Sequence, residues 1–393
     1  MLSDQVLDRN VVYREALREA ALVPTAEQVE LRTLVRGYLE KSCGEAALRR
    51  VLEPDPGTDR AGWQAMAGEQ GLPALAIAES DGGLGYGFAE LAVALEECGR
   101  QLAFPSLLTT AVLGAGLLSA LPSGGPQTDW LAAIAAGELL VAVTGPGVPA
   151  SGAPAVSARA RGAQWLLHGT ADFVLDGAAA DLALVLCGGY GQGQAIFACR
   201  TDTPGLCRTP LQTLDLTRAQ ARYDFDGAEA TLVADGEAAV AAWERMVSLG
   251  QVGIAAEQLG VAGQALDSAI EYAKSRHQFG RPIGSFQAIK HKCADLLIDL
   301  ESARSAVAFA IWSASNGHSC LPLAAAVAKA AASEACTKVT AESIQIHGGI
   351  GFAWEHTAHL YFRRAKSDEL LLGDGHHQRA AIGQLLGLMP SNA

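Results

Sequence analysis

The feature that most constrains this chain is a double change in its hydrophobic periodicity. From residue 25 to about 140, apolar residues recur at helical spacing. In the segment 86–119, for example, Ala89, Leu91, Ala92, Leu95 and Cys98 share a face, with Glu90, Glu96, Glu97 and Arg100 between them. Near residue 141 the pattern breaks into short β-branched or apolar runs at 139–144, 154–160, 164–168, 172–175, 182–187 and 194–200, bounded by Gly, Pro or Asp, which predicts strands to about residue 234. Helical spacing returns from about 236. Within 251–275 the residues Ile254, Leu259, Ala262, Leu266, Ile270 and Ala273 line one face, and further helices are predicted at about 286–315, 321–347 and 355–388. Helices, then strands, then helices predict an α+β chain of separate domains, not a doubly wound sheet. The expected division is an extension at 1–24, a helical domain at 25–138, a β-domain at 139–235 and a second helical domain at 236–393. Thr25 and Gln28 form a capping-box pattern at the start of the first domain, and Glu79-Ser-Asp-Gly-Gly-Leu-Gly85 is a turn-rich break inside it.

Composition narrows the function. The chain has 393 residues and is 50% apolar, enough to bury the cores of two or three units. A net charge of −13 argues against nucleic acid or an anionic membrane as the main partner. Its eight cysteines form no CxxC pair and no Cys/His metal spacing, so they read as reduced core residues and no metal site is expected. The start MLSDQVLDRN lacks a basic region followed by an apolar stretch, and no apolar run reaches about 18 residues. A cytoplasmic protein with no membrane insertion is the expectation.

Several motifs then carry chemistry. Arg276-His-Gln-Phe-Gly-Arg-Pro-Ile-Gly-Ser-Phe-Gln287 combines a permanently charged guanidinium, suited to a diphosphate, with an aromatic face at Phe279. Gln345-Ile-His-Gly-Gly-Ile-Gly-Phe352 offers Gly348 and Gly349, where backbone amides can approach phosphate oxygens. These segments resemble the two C-terminal signatures of the acyl-CoA dehydrogenase family. Asp295, Arg304 and Lys329 stand between them where the family has D, R and K. Arg363-Arg-Ala-Lys366 resembles its R-D-A-K, and Glu79 with Gly82-Gly-Leu-Gly85 resembles its P-E-x-x-G-G-x-G. The resemblance implies an N-terminal helical domain, a central β-barrel-like domain and a C-terminal four-helix bundle. It also implies FAD as cofactor, contacted by Thr144, Phe173, Arg276, Gln278, Phe279, Gln287, Gln345, Gly348, Gly349 and Asp374. Because the two C-terminal motifs serve an FAD held by the neighbouring subunit, at least a dimer is implied.

The departures from the family cluster at the flavin's reactive end. Its T-E-P-x-x-G-S-D loop reads Val143-Thr-Gly-Pro-Gly-Val-Pro-Ala-Ser-Gly152 here, with Gly145 in place of the acid. Its W-I-T-N strand reads Phe173-Val-Leu-Asp176, so Leu175 replaces a hydroxyl. Dehydrogenation needs a base for the α-proton, usually a desolvated Glu. Its two usual positions fall on Leu372 and Gly250, and Gln251 stands where the family often has Arg. The replacement candidates are Glu257, two turns beyond Gly250 and about 10 Å along the axis at ~1.5 Å per residue, and Asp374, with His376 and His377 beside it. Three readings follow from the resemblance. The first is an active dehydrogenase of an acyl thioester, carried by CoA or a carrier protein, passing electrons to an electron-transfer flavoprotein or to oxygen. The second is a catalytically incomplete partner in a hetero-oligomer of related dehydrogenase subunits, as opposed to a homo-oligomer. The third is a flavoenzyme with altered, oxygenase-type chemistry.

Overall fold

The computed structural model describes residues 4–51, 59–103, 107–122, 124–145, 155–162, 164–190 and 193–388. The extension forms α1 (Asp4–Glu19), and the first helical domain follows as α2 (Ala26–Ser42), α3 (Glu45–Val51), α4 (Arg60–Gln70), α5 (Phe88–Gln101), a π-helical turn (Leu108–Gly114), α6 (Ala115–Ser119) and α7 (Gln127–Ala135). The capping box of α2 forms as read. Thr25 Oγ1 accepts from the Gln28 amide at 3.3 Å, and Gln28 Oε1 accepts from the Thr25 amide at 3.1 Å.

The strands are β1 (Val141–Thr144), β2 (Val156–Arg161), β3 (Gln164–Leu175), β4 (Leu182–Tyr190), β5 (Gly193–Arg200), β6 (Leu206–Pro210) and β7 (Gln220–Asp235). The pairings β4–β2, β2–β3, β3–β7, β7–β5 and β5–β4 close a ring, so the sheet is a barrel with its own apolar core. The two strands expected at 164–168 and 172–175 are one. Gly169, at φ 127° with Ala155 O only 2.2 Å from where its Cβ would stand, and Phe173, at φ 59°, mark the irregularities that let β3 bend without ending.

The second helical domain is built on α8 (Gly236–Ser275), α9 (Gln287–Ser315) and α10 (Leu321–His347), with a small hairpin of β8 (His277–Gln278) and β9 (Arg281–Pro282) between the first two. The single helix expected at 355–388 is instead α11 (Ala358–Leu370) and α12 (Gly375–Leu385), both packed on α10. Apolar periodicity runs through the junction, but Leu372 (φ 56°) and Gly373 (φ 94°) turn the chain left-handed, and Asp374 caps α12 by accepting the His377 amide at 2.8 Å. Two glycines set the site's frame by letting α5 and α8 touch backbone to backbone. A Cβ on Gly260 would stand 1.8 Å from Glu96 O, and one on Gly99 2.1 Å from Glu257 O.

Candidate functional site

The two C-terminal motifs meet on one face. Ala269 and Ala273 of α8 pack against Ile346 of α10, with Ile283, Ile289 and Cys293 around them, and His347 lies over Tyr272 with ring centres 4.6 Å apart. This packing presents the β8–β9 hairpin beside the C-terminus of α10. Arg276 is exposed and its guanidinium has no partner among the described residues. Gln278, Gln287 and Gln345 are exposed as well. Phe279, at the hairpin tip with φ 53°, is 91% exposed, and its ring meets Phe286 edge-on at 6.1 Å. Gly348 (φ 66°) and Gly349 have open space where side chains would project. A free guanidinium, two bare glycine backbones and a fully exposed ring form a donor set that fits a diphosphate joined to a planar ring.

Of the other expected cofactor residues, Thr144 and Phe173 lie on the barrel and Asp374 caps α12. Thr144 ends β1, buried and paired with Val185, while Phe173 is 52% exposed. The start of the loop after β1 has no room for the family's acid, because a Cβ on Gly145 would lie 2.7 Å from the Trp243 ring and 2.9 Å from Leu186. Residues 146–154 of that loop lie outside the described residues. Leu175 is buried and brings no hydroxyl.

Leu372 and Gly250, far apart in sequence, are neighbours. A Cβ on Gly250 would stand 2.6 Å from both Leu372 Cδ1 and Leu113 Cδ2. Leu372 is 2% exposed. The turn that carries it is held by donors from three helices. Gln378 Nε2 donates to Leu372 O at 2.7 Å and Gln251 Nε2 donates to it at 3.3 Å, while the ammonium of Lys329 reaches Glu369 O at 3.1 Å and Gly373 O at 3.3 Å. Burial pulls the Lys329 pKa down to about 8, against the pull of the nearby carboxylates. The backbone of the turn is therefore held by polar donors, while the Leu372 side chain is buried against Gly250.

Glu257, 4% exposed, belongs to a buried ionic cluster between α8, α11 and the loop before β7. Its Oε1 accepts from Arg218 at 2.6 Å and from Arg364. Arg364 also donates to Asp215 Oδ2 at 2.7 Å and to Thr217 O at 2.8 Å. Burial raises the Glu257 carboxyl, but the two guanidiniums outweigh it and hold the pKa below the ordinary value. Asp368 completes the cluster. Arg218 Nη2 stands 2.9 Å from its Oδ1, yet neither carboxyl oxygen accepts a hydrogen bond among the described residues. Burial and the neighbouring carboxylates push Asp368 up to about 7. Asp374 has its pKa lowered by the His377 amide it caps, while His376 and His377 are exposed in the first turn of α12. A carboxylate pinned by two guanidiniums and one that caps a helix are both poorly disposed to take a proton from carbon. Sequence reasoning missed this cluster and the clamp on the 371–373 turn. The one available signal was Arg364, standing where R-D-A-K has its Asp.

The acyl-CoA dehydrogenase N-terminal domain model matches residues 25–138, and the C-terminal domain model matches 240–387. The chain belongs to the acyl-CoA dehydrogenase family. These proteins are flavin oxidoreductases. Acyl-CoA dehydrogenase IpdE2 of Mycobacterium tuberculosis is 35% identical over 352 residues, which is 89% of this chain and 94% of that protein. The solved ChsE4-ChsE5 complex from Mycobacterium tuberculosis superposes with TM-score 0.85 at 30% identity, over 94% of this chain and 100% of that one. A variant of the Tcur3481-Tcur3483 steroid ACAD gives TM-score 0.83 at 31% identity, over 92% and 98%. Among the described residues no helix is long and apolar enough to cross a membrane, and no group of three His, Cys, Asp or Glu side chains could hold a metal ion.

Proposed function

We propose that this chain is the FAD-gripping subunit of an acyl-thioester dehydrogenase, and that a related subunit supplies the base that removes the α-proton. One observation carries the reading. The two positions where the family places that base are occupied by Leu372 and Gly250, neither of which can accept a proton, and the two pack against each other and against Leu113. FAD, when bound, supplies the hydride acceptor. Arg276 would fork onto its diphosphate, the amides at Gly348 and Gly349 would approach the phosphate oxygens, and Phe279 would cover a ring, with Gln278, Gln287 and Gln345 at the margins. The intact motif face with an altered reactive end is the asymmetry such a subunit needs. The substrate is an acyl thioester of CoA or a carrier protein, and the electron acceptor is an electron-transfer flavoprotein or oxygen. The similarity to two structures named for paired proteins supports a hetero-oligomer.

The reading of a self-sufficient enzyme with a relocated base is weaker, because Glu257 is neutralised by Arg218 and Arg364 and Asp374 is committed to its cap. The test is a rescue. Leu372→Glu restores an acid, and Leu113→Ala makes room for it. In the absence of any partner, the doubly substituted, FAD-loaded chain is expected to be reduced by a matching acyl-CoA about 10²-fold faster than wild type, the lower end of what a general base contributes. Equal rates in a folded, yellow variant would remove the argument from Leu372.

A further inference from the structure

We propose that His347, which is not among the expected cofactor contacts, is the positioning residue that holds the two halves of the diphosphate grip in register. The inference rests on the reading of the motif face given above. The two halves stand on different helices, since Gly348 and Gly349 follow the end of α10 and Arg276 follows the end of α8. A guanidinium and two backbone amides can serve one diphosphate only at a fixed separation, because N–H···O bonds span about 2.7–3.2 Å, and a slip of about 1 Å between the helix ends would release one half. Ala269, Ala273 and Ile346 join the helices by apolar contact, which sets no direction. The last turn of α10 adds directional contacts through His347.

His347 ends α10 and is 4% exposed, so it acts through its neighbours and not by touching a ligand. Its Nδ1 lies 2.7 Å from Ser343 O, and a carbonyl oxygen only accepts, so Nδ1 carries the hydrogen. In the neutral ring Nε2 is then an acceptor, and Ser268 Oγ of α8 stands 3.4 Å away to donate. These bonds fix the ring against Tyr272 of α8, with centres 4.6 Å apart and planes at 31°. Tyr272 O in turn accepts the Arg276 amide at 2.8 Å, so the residue against the imidazole also caps the helix from which the guanidinium springs. On the glycine side the turn Gly348–Phe352 folds back on His347, and a Cβ on Gly351 would stand 3.1 Å from His347 Cβ. His356 meets the same ring with centres 4.6 Å apart, and its Nδ1 accepts the Ala358 amide at 3.1 Å at the start of α11. One buried side chain thus touches the arginine-bearing helix, the glycine turn and the loop that leads to α11.

The test is a double-mutant cycle on FAD affinity, measured by equilibrium dialysis of the full chain, with any partner it needs, after FAD has been stripped. Arg276→Ala is expected to weaken FAD about tenfold or more in the wild-type background, the loss of one charge-assisted bond. His347→Ala alone is expected to weaken FAD by a similar factor. In the His347→Ala background, Arg276→Ala is expected to weaken it less than about threefold, because displaced helix ends no longer place both groups on one diphosphate. Tyr272→Leu removes the stacking partner and leaves both imidazole bonds. It is expected to shrink the Arg276→Ala effect in the same way, and it decides the matter if His347→Ala fails to fold. A merely structural histidine would lower the melting of the FAD-free chain and leave the effect of Arg276→Ala at full size, and that additivity overturns the proposal. Unchanged FAD affinity in folded His347→Ala overturns it as well. If Arg276→Ala has no effect in the wild-type background, the reading of the motif face fails first, and the proposal falls with it.

Discussion

Glu257→Gln separates a structural carboxylate from a catalytic one. In the folded chain Glu257 is buried and accepts hydrogen bonds from Arg218 and Arg364 through one oxygen. Replacement by Gln keeps the shape and an acceptor but removes the charge that offsets two buried guanidiniums. Removing one partner of a buried ion pair typically costs about 3–5 kcal/mol. Asp215 remains bonded to Arg364 and Asp368 stands near Arg218, so the lower end, about 3 kcal/mol, is expected here. At roughly 2 °C per kcal/mol for a long chain, the thermal midpoint should fall by about 6 °C. Its pH dependence has a definite sign. The folded Glu257 pKa lies below its unfolded value, so the stability it contributes is present above the unfolded value and is lost as pH falls through the folded one. The gap between wild type and variant should therefore be full near neutral pH and close in acid. The assay is a melt at several pH values beside flavin reduction by acyl-CoA, measured with any partner the chain needs. A variant that melts like wild type but no longer permits flavin reduction would refute the structural assignment and make Glu257 the base.

Other outcomes follow from the same geometry. Asp368→Asn should show the opposite pH trend. The folded pKa of Asp368 is raised from 3.8 to about 7, so its contribution is present below the unfolded value and is lost as pH rises to the folded one, and the neutral variant should gain on wild type between about pH 4 and 7 in thermal melts, with no further gain above that. Arg276→Ala should weaken FAD binding by about 1.5–3 kcal/mol, one charge-assisted bond, with little effect on the melting of the FAD-free chain because the side chain has no partner of its own; equilibrium dialysis against FAD measures it. Light scattering of the FAD-loaded protein should show a dimer or tetramer, and a stable FAD-loaded monomer would contradict the shared-site reading.

Much of this architecture was legible because it rests on local periodicity. The switch from helical spacing to short runs bounded by turn residues located the barrel, and Thr25 with Gln28 located the start of α2. Arg276–Gln287 and Gln345–Phe352 were singled out by their resemblance to the family's two signatures, and the packing of α8 against α10 brings them to one face. What escaped was decided by contacts between distant residues. The left-handed turn at Leu372 and Gly373 interrupts a stretch whose apolar spacing gives no warning of it. Leu372 meets Gly250, and Arg364 meets Glu257 and Asp215, only after α8 and α11 have packed, and no spacing rule encodes such pairings. Gly169 permits a bend that makes one strand of two predicted ones.

The central claim is that this chain lacks the base for the α-proton and needs another subunit to provide it. Its most direct test is anaerobic mixing of the FAD-loaded chain, without a partner, with a series of acyl-CoA thioesters while the oxidised-flavin absorbance is followed. The account predicts that the band persists, and that it bleaches when a related subunit carrying a glutamate at the position of Leu372 is added. Rapid bleaching by the wild-type chain on its own would contradict it.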